Sequence, residues 1–129
     1  MNADWSFEDG QIAVEKFAQS GKPYTALFAG NDLMALGAIY ALQDRGFRVP
    51  QDVAVIGYDD RAFTSFVRPS LTTITLPAYE MGEAAAKLLL SMMKNEVKSS
   101  KAVEVRGRLL VRDSCGASIS RRTLNEDMA

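Results

Sequence analysis

The sequence predicts an α/β fold, a mostly parallel sheet flanked by helices, and two strand-to-loop junctions carry that prediction. Ala26-Leu27-Phe28-Ala29-Gly30-Asn31-Asp32 and Val53-Ala54-Val55-Ile56-Gly57-Tyr58-Asp59-Asp60 each begin as a short apolar run and end in glycine and polar acceptors. Open α/β sheets present ligand-binding groups at the carboxyl ends of their strands in this way. A helical pattern lies between the two runs, so they become neighbouring parallel strands joined by a crossover helix. Asn31 and Asp59 then stand side by side above one rim of the sheet, which suits a small polar ligand.

The first helix starts at Ser6, an N-cap with Glu8 and Asp9 behind it in the first turn. Ile12, Ala13, Phe17 and Ala18 follow at helical spacing, and Gly21 then Pro23 stop the helix. Tyr24 to Ala29 is the first strand. Leu33, Leu36, Gly37, Tyr40 and Ala41 give the second helix its buried side, and Gly46 closes it. A tight connection over 47–52 leads into the strand from Val53 to Tyr58, and residues 59–70 are irregular or hold one short helix. Leu71 to Leu76 is β-branched and strand-like. Pro77 sits where a third helix begins, with Met81, Ala84, Ala85, Leu88, Leu89 and Met92 as its apolar stripe. After a polar break from Lys94 to Lys101, Val103 to Asp113 alternates apolar with charged residues, as a strand with one wet face does. The tail over 117–129 is polar and aperiodic, which predicts disorder. Alternating βα folds usually open on a strand, whereas this order opens on a helix, as though the chain starts partway through a larger sheet.

Composition narrows the chemistry. The 129 residues amount to one domain at most, and Lys+Arg 15 against Asp+Glu 16 leaves a net charge of −1. That balance lacks the basic field of a nucleic-acid-binding module, so this segment is not expected to touch DNA. No histidine is present, which removes imidazole bases, Ser-His and Cys-His nucleophile systems and most zinc sites. The one cysteine, Cys115, leaves no internal disulfide and fits a reducing compartment. Gly30 and Gly57 lie in no G-x-G-x-x-G or P-loop pattern. Neither a catalytic constellation, a metal site nor a cofactor is therefore expected, and the protein is read as a non-enzyme. No apolar run approaches a membrane span, and Asp4, Glu8, Asp9 and Glu15 replace the basic-then-apolar start of an export signal. Membrane association is not expected, and a cytoplasmic location is.

Read in register, these segments resemble the lactose-repressor/galactose-repressor family of bacterial transcription regulators. The resemblance runs through Thr25 to Ala38, Gly46 to Asp60, Arg68-Pro69-Ser70-Leu71-Thr72-Thr73-Ile74, Glu80 to Ala85 and Val103 to Ser114. It covers about Asp4 to Ser114, in order and with family spacing. The family combines a helix-turn-helix headpiece with a two-lobed sensor resembling periplasmic sugar-binding proteins, the effector lying between the lobes. The resemblance reaches only the later part of that sensor, a type I periplasmic-binding-protein-like C-terminal lobe, incomplete as a fragment. It implies a partial effector-binding and dimerisation domain over 1–116. Within it, 1–75 and 104–116 resemble the C-terminal lobe and 78–95 a helix of the N-terminal lobe. The family's first lobe, hinge helix and headpiece have no counterpart here, so DNA would be contacted only through a headpiece outside this chain.

Family roles carry onto three positions. Asp59 resembles the aspartate that accepts hydrogen bonds from effector hydroxyl or ring N–H groups, and a carboxylate takes two such bonds in a fork. Asn31 resembles its polar partner on the neighbouring strand end. It could equally cap the second helix, but Asp32 is the better cap candidate, which leaves Asn31 facing the cleft. Trp5 matches the aromatic wall behind the ligand, its alternative being a partly exposed ring near the start of the chain. Asp60 is read as a solvated or capping carboxylate. Met34, Leu36 and Tyr40 could be plain core. The resemblance places them, with the apolar loop residues Phe63, Phe66 and Val67, at a two-fold homodimer contact. The implied function is effector sensing for a transcription regulator, with a sugar or nucleoside-like ligand as small-molecule partner. The alternative is a periplasmic-type sugar-binding receptor, although such proteins tend to show glycine after the second-strand aspartate and lack the Arg-Pro-Ser-Leu-Thr-Thr-Ile run.

Overall fold

The computed structural model describes residues 4–94, 96 and 102–117. Helix α1 (Phe7–Gln19) leads to strand β1 (Ala26–Phe28), helix α2 (Asp32–Asp44), strand β2 (Ala54–Asp59) and a 3-10 turn at Ala62–Ser65. Strand β3 (Thr72–Thr75), helix α3 (Ala78–Met93), strand β4 (Leu109–Leu110) and a second 3-10 turn at Asp113–Cys115 follow. Two compact units result. One comprises the residues up to Thr75 together with those from Leu109 onward, and the other is Leu76–Arg108.

The first unit is built on a sheet in the order β1-β2-β3-β4. β1 and β2 run parallel with Phe28 opposite Ile56, and β2 and β3 run parallel with Gly57 opposite Thr73 and Asp59 opposite Thr75. β4 is antiparallel to β3, Leu110 opposite Thr73. The strand predicted over Val103–Asp113 is therefore reduced to Leu109–Leu110. Alternation marks a stretch able to form a strand, but a ladder needs a partner, and β3 offers only Thr73 and Ile74 on that side before the chain leaves at Thr75. Ser114 locks this corner from below: its hydroxyl donates to the Val55 carbonyl at 2.6 Å and accepts the Thr72 N–H at 2.8 Å.

Local chemistry sets the helix ends. Ser6 and Asp9 form a capping box, Asp9 N–H donating to Ser6 Oγ at 3.1 Å and Ser6 N–H to Asp9 Oδ2 at 3.2 Å. At the end of α2 the Phe47 N–H reaches the Leu42 carbonyl at 3.0 Å and the Gly46 N–H reaches Gln43 at 2.9 Å. These bonds make a Schellman motif, with Gly46 at φ 83° in the left-handed position it demands.

The buried face of α1 differs from the predicted one. Gly10 and Val14 are buried, whereas Ile12 and Phe17 are exposed and Ala13 and Ala18 half-buried. Contact between α1 and α2 is made by glycine: a methyl built on Gly10 would overlap the Met34 carbonyl oxygen, and one on Gly37 the Phe7 carbonyl oxygen. The two helices cross almost backbone to backbone, which a reading based on large apolar side chains cannot anticipate. α2 is buried on more than one side, through Ala35, Gly37, Ala38, Ile39, Ala41 and Leu42, because it lies between α1 and the sheet. Leu33 and Leu36 are only half-buried, and Tyr40 stands half out of the surface with its ring edge-on to Phe7 at 5.6 Å. Val14, Ile39, Leu42, Val53, Val55 and Leu71 complete the core.

In the second unit, α3 begins after Pro77, which provides no side-chain cap, and none of its residues is buried. Met81, Ala84, Ala85 and Leu88 line a shallow groove with Val103 and Val105, while Leu89 is exposed. Most of the predicted tail, 118–129, and most of the polar break lie outside the described residues. No described helix is long and apolar enough to cross a membrane.

Candidate functional site

The rim above the carboxyl ends of β1 and β2 is distinguished by its backbone. Trp5 (φ 61°), Asp59 (φ 114°) and Asp60 (φ 57°) are the described non-glycine residues in the left-handed region. Such conformations cost on the order of 1–3 kcal/mol each and persist only where the surroundings over-determine them, which is why they gather at functional sites. Two of the three are residues that the sequence nominates for ligand contact.

Asp59 ends β2 with its carboxylate partly open to solvent, and its nearest cation is Arg61 Nε at 3.6 Å. Arg61 is itself exposed, so the pair is a weak surface interaction and leaves the carboxylate able to accept from a ligand. Asp60 is partly solvated, as read from the sequence, but it also has a fixed partner. Its Oδ1 accepts from Arg112 Nη2 at 3.0 Å, and the same guanidinium donates through Nη1 to the Thr64 hydroxyl at 3.0 Å and the Leu71 carbonyl at 2.8 Å. The adjacent carboxylates thus have separate partners: Asp60 is engaged by the Arg112 fork, whereas Asp59 has only the long contact to Arg61.

Asn31, and not Asp32, takes the cap of α2, while Asp32 turns into the interior. Asn31 caps α2, Oδ1 accepting the Met34 N–H at 2.8 Å, and its Nδ2 donates to the Trp5 carbonyl at 2.8 Å. With 7 % of its surface exposed, Asn31 is not the freely projecting side chain anticipated, because β1 stops early enough to make it the last extended residue. Asp32 is fully buried, accepting the Thr73 hydroxyl at 2.6 Å on Oδ1 and the Arg61 N–H at 2.8 Å on Oδ2. Burial raises its pKa above the usual 3.8; the Thr73 and Arg61 bonds pull back, and the charges of Asp59 and Asp60 add to the rise. A carboxyl raised on folding contributes stability that is fully present below its unfolded value and is lost as pH climbs through the folded one.

Trp5 lies against this corner, 58 % exposed, its indole packed on Gly30 where a Cβ would overlap the ring. The structure thus gathers Trp5, Gly30 and Asn31 into one contact cluster. Asp59 and Asp60 follow on the neighbouring strand end, where Thr73 and Asp32 take the Asp60 and Arg61 N–H groups. Thr64, Thr73 and Arg112 were not singled out from sequence, since their partners lie far along the chain. Among the described residues no group of three or more His, Cys, Asp or Glu side chains could hold a metal.

Of the residues expected at a two-fold contact, Phe66 is the most open at 75 % exposed, followed by Tyr40 at 49 %. Met34, Leu36, Phe63 and Val67 are half-buried, and Val67 packs against the core.

Comparison with known proteins agrees with this architecture. Residues 2–115 match the periplasmic binding protein-like domain. The chain is 39 % identical over 114 residues to catabolite control protein A of Priestia megaterium, covering 88 % of this chain and 34 % of that protein. It is 43 % identical over 115 residues to the HTH-type transcriptional repressor PurR of Salmonella typhi, covering 88 % of this chain and 33 % of the repressor. Among solved structures, the transcriptional regulator CelR–cellobiose complex superimposes with a TM-score of 0.76 at 33 % identity, over 87 % of this chain and 34 % of that one. The chain therefore spans about a third of the length of the curated relatives it matches. The match of nearly the whole chain to that domain, with relatives that are repressors, shows that it belongs to the lactose-repressor/galactose-repressor family, as part of the periplasmic-binding-protein-like effector domain.

Proposed function

We propose that this chain is the effector-sensing and dimerising portion of a DNA-binding transcriptional regulator, binding a small sugar or nucleoside-like ligand between two lobes. The observation that carries this reading is the left-handed backbone of Trp5, Asp59 and Asp60, strain gathered where β1 and β2 end. Asp59 accepts from ligand hydroxyl or N–H groups, and the Trp5 ring offers its face to a sugar ring or a planar base. Asn31 holds the Trp5 carbonyl, and it retains one further amide hydrogen and one lone pair beyond its two described bonds for the ligand. The first unit, with β1, β2 and β3, corresponds to the C-terminal lobe, and α3 to the other lobe. Phe66 and Tyr40, with Met34, Leu36, Phe63 and Val67 around them, supply the homodimer contact. Cellobiose bound to the CelR regulator supports a sugar-sized ligand, and the PurR repressor relatives support a cytoplasmic regulator without catalysis.

Ligand bridging the lobes favours one of their relative orientations, and the headpieces read that orientation across the dimer. The test uses the whole protein that carries this chain. Its DNA site is selected from a random-sequence pool, and DNA affinity is followed by fluorescence anisotropy as D-ribose, D-glucose, cellobiose or adenosine is added. Asp59→Ala is expected to raise the ligand concentration for a half-maximal response by about tenfold or more, the loss of one charged hydrogen-bonding partner. A response identical in the variant removes the reading.

A further inference from the structure

We propose that the buried Asp32–Thr73 pair is the device that holds Asp59 and Asp60 in their left-handed conformation, which makes both members positioning residues for the weakly paired Asp59 carboxylate. The proposal rests on the functional reading above only for its last step, from Asp59 to ligand.

Asp32 opens α2, but its carboxylate reaches across to the end of β2 and to β3. Its Oδ2 accepts the N–H of Arg61 at 2.8 Å, and its Oδ1 accepts the Thr73 hydroxyl at 2.6 Å. The Thr73 hydroxyl oxygen in turn accepts the N–H of Asp60 at 3.3 Å. The two amides that follow Asp59 are therefore both held by one carboxylate–hydroxyl pair, whose members are fully buried. On the other side, the β2–β3 ladder sets Asp59 opposite Thr75. The backbone of Asp59 and Asp60 is caught between these anchors, and a caught backbone is what a strained conformation requires.

Gly57 shows that the reach of Asp32 is built into the fold. A Cβ on Gly57 would overlap Asp32 Oδ1, so the carboxylate passes beneath β2 through space that only glycine leaves open. Gly57 thus serves Asp32, not a phosphate. Burying a carboxylate is costly, and here it is offset by two donors that do nothing for the nearby helix. Both donors lead instead to the turn that aims Asp59.

The experiment compares Thr73→Val, which removes the hydroxyl at nearly constant volume, with Thr73→Ser, which restores it, and with Asp32→Asn as an independent lesion. Far-UV circular dichroism first identifies the variants that remain folded. Three-bond HN–Hα couplings of Asp59 and Asp60 in the isotopically labelled chain, together with the one-bond Cα–Hα couplings that separate positive from negative φ, then report their φ angles. The expected result is that the left-handed values are lost in Thr73→Val and in Asp32→Asn and kept in Thr73→Ser. Unchanged couplings in a folded Thr73→Val or Asp32→Asn chain overturn the proposal.

The step to ligand is read by a double-mutant cycle in the whole protein with the panel member that binds. Thr73→Val is expected to weaken affinity about tenfold in the natural background and not at all beside Asp59→Ala. Equal, additive losses in both backgrounds would mark Thr73 as merely structural. If Asp59→Ala alone leaves affinity untouched, the functional reading fails, while the couplings still decide whether the pair holds the turn.

Discussion

Replacing Arg112 by methionine is expected to lower the unfolding free energy by about 3 kcal/mol, the range for breaking a partly buried ion pair and orphaning its partners. The guanidinium serves three acceptors from three segments: the Asp60 carboxylate, the Thr64 hydroxyl and the Leu71 carbonyl. Methionine matches the stem of the side chain, so the lesion is polar and not a cavity. The Arg112 side chain is 22 % exposed and that of Asp60 31 %, which lets water reach the broken pair and keeps the cost below that of a sealed one. Lysine should recover only part of the loss, because one ammonium cannot reproduce the fork that reaches Asp60 and Leu71 together. Urea unfolding followed by far-UV circular dichroism measures both variants. A methionine variant within about 0.5 kcal/mol of the natural chain would show that the fork adds nothing beyond a surface contact.

Gly37→Ala carries the second large effect. In an open helix the change would stabilise by about 1 kcal/mol, since alanine is the better helix former. Here the new methyl overlaps the Phe7 carbonyl oxygen, a backbone atom that cannot swing aside as a flexible side chain would. Overpacking of this kind costs about 1–3 kcal/mol or more, so the clash wins and a net loss of about 2 kcal/mol is expected. Gly10→Ala repeats the lesion from the α1 side against Met34. Once the helices have been forced apart the second methyl costs less, so the double variant should fall short of the sum. Gly82→Ala on α3 is the internal contrast: nothing lies near its built Cβ, and the same change there should be neutral or stabilising. Thermal unfolding of the three single variants separates the cases.

Much of the frame was legible along the chain because it is written in local chemistry. The Ser6 cap and the stops at Gly21 and Gly46 each depend on a few consecutive residues, and the parallel pairing of β1 with β2 follows from the single helix between them. The site was legible only in part. Asp59 could be nominated because strand ends in α/β sheets present ligand groups, but the separate duty of Asp60 is set by Arg112, more than fifty positions later. Asn31 and Asp32 are both good caps, and the choice between them depends on where β1 ends, a matter of one residue that hydropathy does not encode. The α1–α2 crossing was missed for a related reason. Gly37 was legible as part of the buried side of α2, but on α1 hydropathy weighs large side chains, so Ile12 and Phe17 drew attention while Gly10, which has no side chain to bury, made the contact.

Asp59 and Asp60 divide the labour at this rim, and isothermal titration of the Asp59→Ala and Asp60→Ala variants of the whole protein tests that division most directly. The D-ribose, D-glucose, cellobiose and adenosine panel supplies the ligand, and urea midpoints are recorded on the same samples. Asp59→Ala is expected to lose about tenfold or more in affinity with its midpoint intact, while Asp60→Ala lowers the midpoint through Arg112. The account would be contradicted if no compound bound saturably, or if Asp59→Ala bound as tightly as the natural protein.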